Sequence, residues 1–247
     1  MKLSQEQIQN IDKFLIKSGV KYWDIRLELA DHFINAIEEK MGSGLSYDES
    51  FLEVHKSFGN KVSKYVLAQD FSGWNKENGI YVDNFGYQKL LGVKRKELHK
   101  QYNRQINRTA INWIKSPSKV LFLVSLVALL YLIFTILPGK ASYAITALLV
   151  FLPTLLMYIH QFRFVRKRHK RSLYFEMAML LSVNGLWIGY PLLTIPQYLF
   201  SIEIAAYPIF LLILIILVSV LISWSGFIVY KNELSKCNNL LKKLELN

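Results

Sequence analysis

Two hydropathy regimes divide the chain. Up to about residue 115, apolar positions are scattered among polar ones at helical spacing, and from residue 120 to 230 they run together. Four runs in the apolar half, residues 120–137, 141–159, 173–193 and 207–230, reach the length of a membrane-crossing helix. Pro138-Gly139-Lys140 joins the first two so tightly that they read as an antiparallel hairpin. The link between the third and fourth, residues 194–206, contains no Lys or Arg.

The polar half carries start and stop signals for helices. Ser4 with Gln7 three residues on is a capping box, and a helix should follow with Ile8, Ile11, Phe14 and Leu15 on one face. Gly19 is placed to end it. Residues 23–40 repeat apolar positions at 3.6-residue spacing (Tyr22, Ile25, Leu29, Phe33, Ala36, Ile37). The other face is acidic, with Asp24, Glu28, Asp31, Asn35 and Glu38. After Gly42-Ser43-Gly44 a second capping box, Ser46 with Glu49, opens a helix with Phe51, Leu52, His55 and Phe58 inward, closed by Gly59. A short fourth helix is expected over residues 60–69 through Val62, Tyr65 and Val66. Residues 72–86 lack a helical period and read as a structured loop or short hairpin, with Asn78-Gly79 as its turn. Residues 87–114 then predict one long helix with the stripe Leu91, Leu98, Tyr102 and Ile106.

The expected fold class is therefore all-α. A small cytoplasmic helical head (residues 1–70) leads through a linker and basic amphipathic neck helix (71–118) into a four-helix transmembrane bundle (119–230) and a basic tail (231–247).

Charge orients this scheme. Residues 1–84 hold ten Lys/Arg against thirteen Asp/Glu, whereas residues 85–119 hold nine Lys/Arg against Glu97 alone. Between the second and third runs, Arg163, Arg166, Lys167, Arg168, Lys170 and Arg171 fall within nine positions. Short Lys/Arg-rich loops stay on the cytoplasmic side. The neck (Lys94, Arg95, Lys96, Arg104, Arg108), the middle loop and the tail then share that side, and both termini are expected in the cytoplasm. Basic segments that flank apolar spans point to anionic lipid headgroups rather than nucleic acid. The neck stripe fits either a helix lying on headgroups or one packed on the head. The N-terminus has no apolar signal-peptide core, and the single cysteine, Cys237, excludes an intrachain disulfide.

Polar groups inside the spans call for a role. Asn184 beside Gly185-x-x-x-Gly189 reads as a close helix-packing seam, with a transport site as the competing reading. No acidic residue sits mid-span. Phosphate-binding loops, dinucleotide fingerprints, the His-Glu-x-x-His motif, cysteine zinc spacings and the Gly-x-Ser-x-Gly elbow are all missing from the sequence, so no catalytic residues, metal or cofactor are assigned. Glu28 and His32, with Asp31, Asn35 and Glu39 nearby, form the nearest thing to a metal-ligand cluster, against the plainer reading of a solvated acidic face.

The first sixty residues, with Asp31-His32 on the acidic helix and Phe58-Gly59 closing the next one, resemble the N-terminal helical modules of bacterial multi-pass membrane proteins of the HAAS or permease-prefix kind, most nearly those of Bacteroidota. The resemblance implies the architecture of a bacterial multi-pass membrane protein. The expected function is a non-enzymatic interaction, anchoring or regulatory subunit, with a permease-like transport component as the alternative. Asp24, Glu28, Asp31 and Glu38 are the expected partner surface. The expected partners are lipids, other protein subunits or a second copy of the chain.

Overall fold

The computed structural model describes residues 2–63, 74–77, 80–168, 171–183 and 208–245. The chain is mostly helical, in the order α1 (Gln5–Lys17), α2 (Trp23–Gly42), α3 (Tyr47–Ser57), β1 (Val62–Ser63), β2 (Trp74–Glu77), β3 (Ile80–Asp83), α4 (Phe85–Lys115), α5 (Pro117–Ile136), α6 (Gly139–Arg168), α7 (Leu173–Ser182) and α8 (Ile209–Glu245). It divides into two compact units. The first takes residues 1–97 and returns for 170–173; the second takes 98–169 and 174–247. This division falls inside α4, whereas composition placed its boundaries at 70 and 118.

In the first unit both expected capping boxes are formed, at Ser4/Gln7 and Ser46/Glu49. Each Ser hydroxyl accepts a backbone N–H of the first turn, and the Gln7 or Glu49 side chain accepts the Ser N–H in return. Gly19 and Gly59 follow α1 and α3 at φ +84° and +85°, the left-handed conformation that stops a helix. The core gathers Ile11, Phe14, Leu15, Ile25, Leu29, Phe33, Ile37, Val54 and Tyr87. It is rich in rings: Phe14 meets Phe51 edge-on at 4.9 Å and Phe33 stacks on Phe58 at 5.3 Å.

One expectation changes here. The helix expected over 60–69 does not begin. Val62 and Ser63 are extended and pair antiparallel with Val82 and Tyr81, while residues 64–69 lie outside the described residues. Of the two forms expected for residues 72–86, a structured loop or a short hairpin, the described residues show paired strands: β2 pairs antiparallel with β3 in the register Glu77↔Ile80, with β3 at the centre of a three-stranded sheet, while the expected turn, Asn78-Gly79, lies outside the described residues. Val62 has apolar neighbours at helical spacing, but the partner strand decides its conformation.

The second unit holds three helices long and apolar enough to cross a membrane: Pro117–Ile136, Ala141–Arg163 and Ile209–Lys242. Their outward faces are bare apolar surface, with Leu121 71%, Ile136 73% and Phe210 73% exposed. In water such continuous patches would be a liability, whereas in lipid they are the expected finish. The inward faces of α5 and α8 pack Leu126 and Leu130 against Ile213, Ile216 and Val220. The third expected span is seen only as α7, ten residues long, because residues 184–193 lie outside the described part. Three such helices are thus described where four were expected. The residues of the expected basic tail continue the last helix. α8 runs on without a break to Glu245, and Cys237 and Leu241 are buried.

Candidate functional site

Within the first unit the acidic face of α2 divides. Asp24 is buried and unavailable as partner surface. Its carboxylate accepts the Ser172 hydroxyl at 2.7 Å, the Leu173 N–H at 3.1 Å and the Ile25 N–H at 3.0 Å. Asp24 occupies the first turn of α2, where residues 171–173 pass, and there a short carboxylate satisfies backbone and hydroxyl donors that burial removes from water. The Trp23 N–H donates to the Arg171 carbonyl at 3.0 Å, which fixes the same strand of chain a second time. Glu28 pairs with Lys94 at 3.0 Å, and the Glu38 carboxylate accepts the Leu3 N–H at 2.9 Å. Asp31 and Glu39 remain exposed, with Asn35 between them.

The candidate metal cluster does not assemble. Glu28 is taken by Lys94, and the His32 ring packs edge-on against Phe58 at 5.3 Å. Among the described residues no group of three or more His, Cys, Asp or Glu could hold a metal ion.

The expected headgroup cations are distributed over several elements. Arg95 lies over the Tyr22 ring and donates to its hydroxyl at 3.1 Å. Lys96, Arg104, Arg108 and Arg163 are exposed. Arg166, Lys167 and Arg168 end α6, Arg171 is exposed, and Lys170 lies outside the described residues. Asn184, Gly185 and Gly189, the expected packing seam, also lie outside them.

A seam of the expected chemistry stands elsewhere in the second unit. The Ser182 hydroxyl of α7 donates to the Gly226 carbonyl of α8 at 2.7 Å. A Cβ on Gly226 would sit 2.7 Å from the Ser182 Cα, so only glycine permits this approach. Nearby, the Tyr230 hydroxyl donates to the Met157 carbonyl at 3.1 Å and ties α8 to α6.

Two buried polar clusters escaped the sequence. In the first unit, His55 Nδ1 lies 2.7 Å from the Tyr87 hydroxyl. Asn60 donates to the His55 carbonyl at 3.1 Å and accepts the Gly86 N–H at 2.8 Å. Burial pushes the His55 imidazole down to about 4, with Lys56 adding to it and a hydrogen bond with the Lys61 backbone opposing it. Burial, with Asp83 second, holds the Tyr87 phenol well above its ordinary value. In the second unit, burial raises the Tyr102 phenol, and the neighbouring Glu233 and Cys237 raise it further. Glu233 pairs with Lys236 at 2.6 Å. The phenols thus stay protonated and the imidazole stays neutral near pH 7, which suits these groups to holding helices in place. The legible signals were partial: His55 fell on the inward face of α3 and Tyr102 on the stripe of α4, and Tyr230, Cys237 and Leu241 continue the apolar stripe of α8 past the span.

Comparison with known proteins finds no matching family model, no matching curated protein and no matching solved structure.

Proposed function

We propose that the chain is a non-enzymatic, multi-pass protein of a bacterial inner membrane, an interaction or anchoring subunit whose helical head meets a cytoplasmic partner. In this reading α7 is the inner end of a fourth span over residues 173–193, and both termini face the cytoplasm. The observation that carries it is the contrast of surfaces. Three long helices expose large apolar side chains, while the first unit closes an aromatic core and leaves Asp31 and Glu39 open on α2. The resemblance of the first sixty residues to HAAS-type modules points the same way. With Asp24 buried and Glu28 and Glu38 engaged, the docking patch centres on Asp31 and Glu39.

The topology is tested by cysteine labelling in intact cells. Single cysteines at Lys140 and Ser201 should react with an impermeant reagent from outside, and one at Lys167 should not. The opposite pattern would sink the orientation. The docking role is tested by gentle detergent extraction of the native complex. A co-purifying protein should be lost on combining Asp31→Lys with Glu39→Lys. Retention of the partner by that variant, or solute movement by the purified chain alone, would favour the permease-like alternative.

A further inference from the structure

The second unit includes the end of α4 as well as the apolar helices, since it begins at Leu98. From Leu98 to Lys115 that helix has two faces of different chemistry. Leu98, Tyr102 and Ile106 are buried on one. On the other, Arg104, Arg108, Ile111 and Lys115 follow at steps of four, three and four residues, the spacing of a single face, and all four are exposed. Lys100 precedes them on that face and Ile114 borders it. Ile111 is 48% exposed and Ile114 61%. The sequence contains no Asp or Glu between Glu97 and Glu176, so the charge of this stretch has one sign throughout.

The place of this face along the chain decides what lies opposite it. α4 ends at Lys115 and α5 begins at Pro117, and α5 is long and apolar enough to cross a membrane. The joint between them is packed. Lys119 Nζ stands 5.4 Å from the centroid of the Trp113 ring, and that ring meets Phe122 of α5 at 6.0 Å. Tryptophan beside the first apolar turns of a span settles at headgroup level. Arg108 precedes Lys115 by two helical turns, about 10 Å along the helix. That is about one Debye length at moderate salt, so Arg108 stays within the surface potential at any tilt of α4.

We infer that this exposed face of α4, continued by Lys119, binds the anionic headgroups of a phospholipid bilayer. Arginine and lysine supply the attraction to the phosphates. The two isoleucines between them supply an apolar grip that a surface made for a soluble polyanion does not need, and they leave water when they enter the acyl boundary beside cations that reach outward. The face therefore distinguishes lipids by headgroup charge, selecting phosphatidylglycerol over phosphatidylcholine. This inference rests on the membrane reading of the second unit and stands apart from the docking role of α2.

The test reconstitutes the full-length chain into phosphatidylcholine vesicles carrying a trace of spin-labelled phosphatidylglycerol or spin-labelled phosphatidylcholine. Electron spin resonance measures how much of each label the protein immobilises. The parent should prefer phosphatidylglycerol by about fivefold at low salt, and less as salt rises. Combining Arg104→Gln, Arg108→Gln and Lys115→Gln should bring the two lipids close to equality. Combining Arg104→Lys, Arg108→Lys and Lys115→Arg should keep the preference. So should the control, Lys2→Gln with Lys13→Gln and Lys56→Gln, which removes the same charge from exposed positions of the first unit. Unchanged thermal melts check folding. A preference that survives the α4 glutamines, or falls equally in the control, is diffuse charge and overturns the face. Equal immobilisation of both lipids by the parent overturns it while leaving the membrane reading intact, whereas immobilisation of neither overturns both. A single-stranded RNA bound by the parent and released by the α4 glutamines, without a lipid preference, assigns the face to nucleic acid and overturns the inference as well.

Discussion

The two units solve the same problem, fixing helices against one another, with different materials. The first closes an aromatic core and ties its connections with long-range polar bonds: Asn84 to Ser18, Asn60 to Gly86, Lys61 to Asp83 and Ser172 to Asp24. The second leaves many large apolar side chains, such as Leu121, Ile136 and Phe210, facing outward and brings helices together where a hydroxyl meets a small residue, as at Ser182 and Gly226. Water supplies a hydrophobic force that gathers apolar groups, and polar bonds then select one arrangement. Lipid supplies little such force between helices, so close backbone approach must hold them. Burial identifies the structural residues in the first unit. In the second, smallness does.

A matched pair of glycine substitutions probes this contrast most severely. A Cβ on Gly86 would stand 2.2 Å from the Phe58 carbonyl oxygen, and one on Gly226 would stand 2.7 Å from the Ser182 Cα. Gly86→Ala should destabilise the head by about 3 kcal/mol or more, because the opposing atom is fixed backbone. Gly226→Ala should cost about 1–3 kcal/mol by separating α7 from α8. Hydrogen exchange on the purified protein should show each loss confined to its own unit. Loss of protection in both units from either change would mean that they unfold together, and the comparison would collapse.

The second effect belongs to the first unit alone. His55 has its folded-state value pushed to about 4 from an ordinary value of 6.5. Between those values the unfolded chain binds the extra proton, so stability is complete above about pH 6.5 and falls as the pH drops toward 4. The loss amounts to roughly 3 kcal/mol across that window. Protection of α1 and α3 amides, corrected for intrinsic exchange, should fall from pH 7 to pH 5 and fall less in His55→Gln. Equal pH dependence in the variant would show that other groups carry it.

Asp24 sharpens the claim about polar bonds. Asp24→Asn keeps the shape but replaces one acceptor oxygen by a donor facing the Ser172 hydroxyl or the Leu173 N–H. The expected cost is about 1–3 kcal/mol, read as faster exchange in α2 and at the start of α7. Ser172→Ala should cost less, since Leu173 still donates to the carboxylate. If both changes were silent, the bonds joining α2 to residues 171–173 would not stabilise the head.

What was legible in the sequence was local. The capping boxes lie within four residues, and the missing helical period of residues 72–86 pointed to a structured loop or short hairpin. The long neck and the apolar helices follow from periodicity and run length. What was illegible depended on residues far apart. Ser172 lies 148 positions from Asp24, so nothing near Asp24 distinguished it from the exposed Asp31 two turns along the same face. β1 forms only because β3 is there to pair with it. The continuation of α8 was masked by its own lysines, which read as a basic tail although Cys237 and Leu241 turn inward.

The smallest expected effect concerns the surface ion pair on α2. Lys94 reaches Glu28 at 3.0 Å, and the Glu28 side chain is 51% exposed. A pair this open competes with water and mobile ions, so Lys94→Gln should change the stability of the head by less than about 1 kcal/mol. The effect should shrink further as salt rises, because the Debye length falls to about 3 Å at 1 M. The measurement is the same exchange experiment on α2 and α4 at low and high salt. Asp24 and Glu28 are one helical turn apart, and the difference between their expected costs rests on burial alone. If Lys94→Gln proved as damaging as Asp24→Asn, and equally so at high salt, exposure would have ceased to predict which carboxylates matter. The head would then have to be understood, like the membrane helices, by which close contacts it makes.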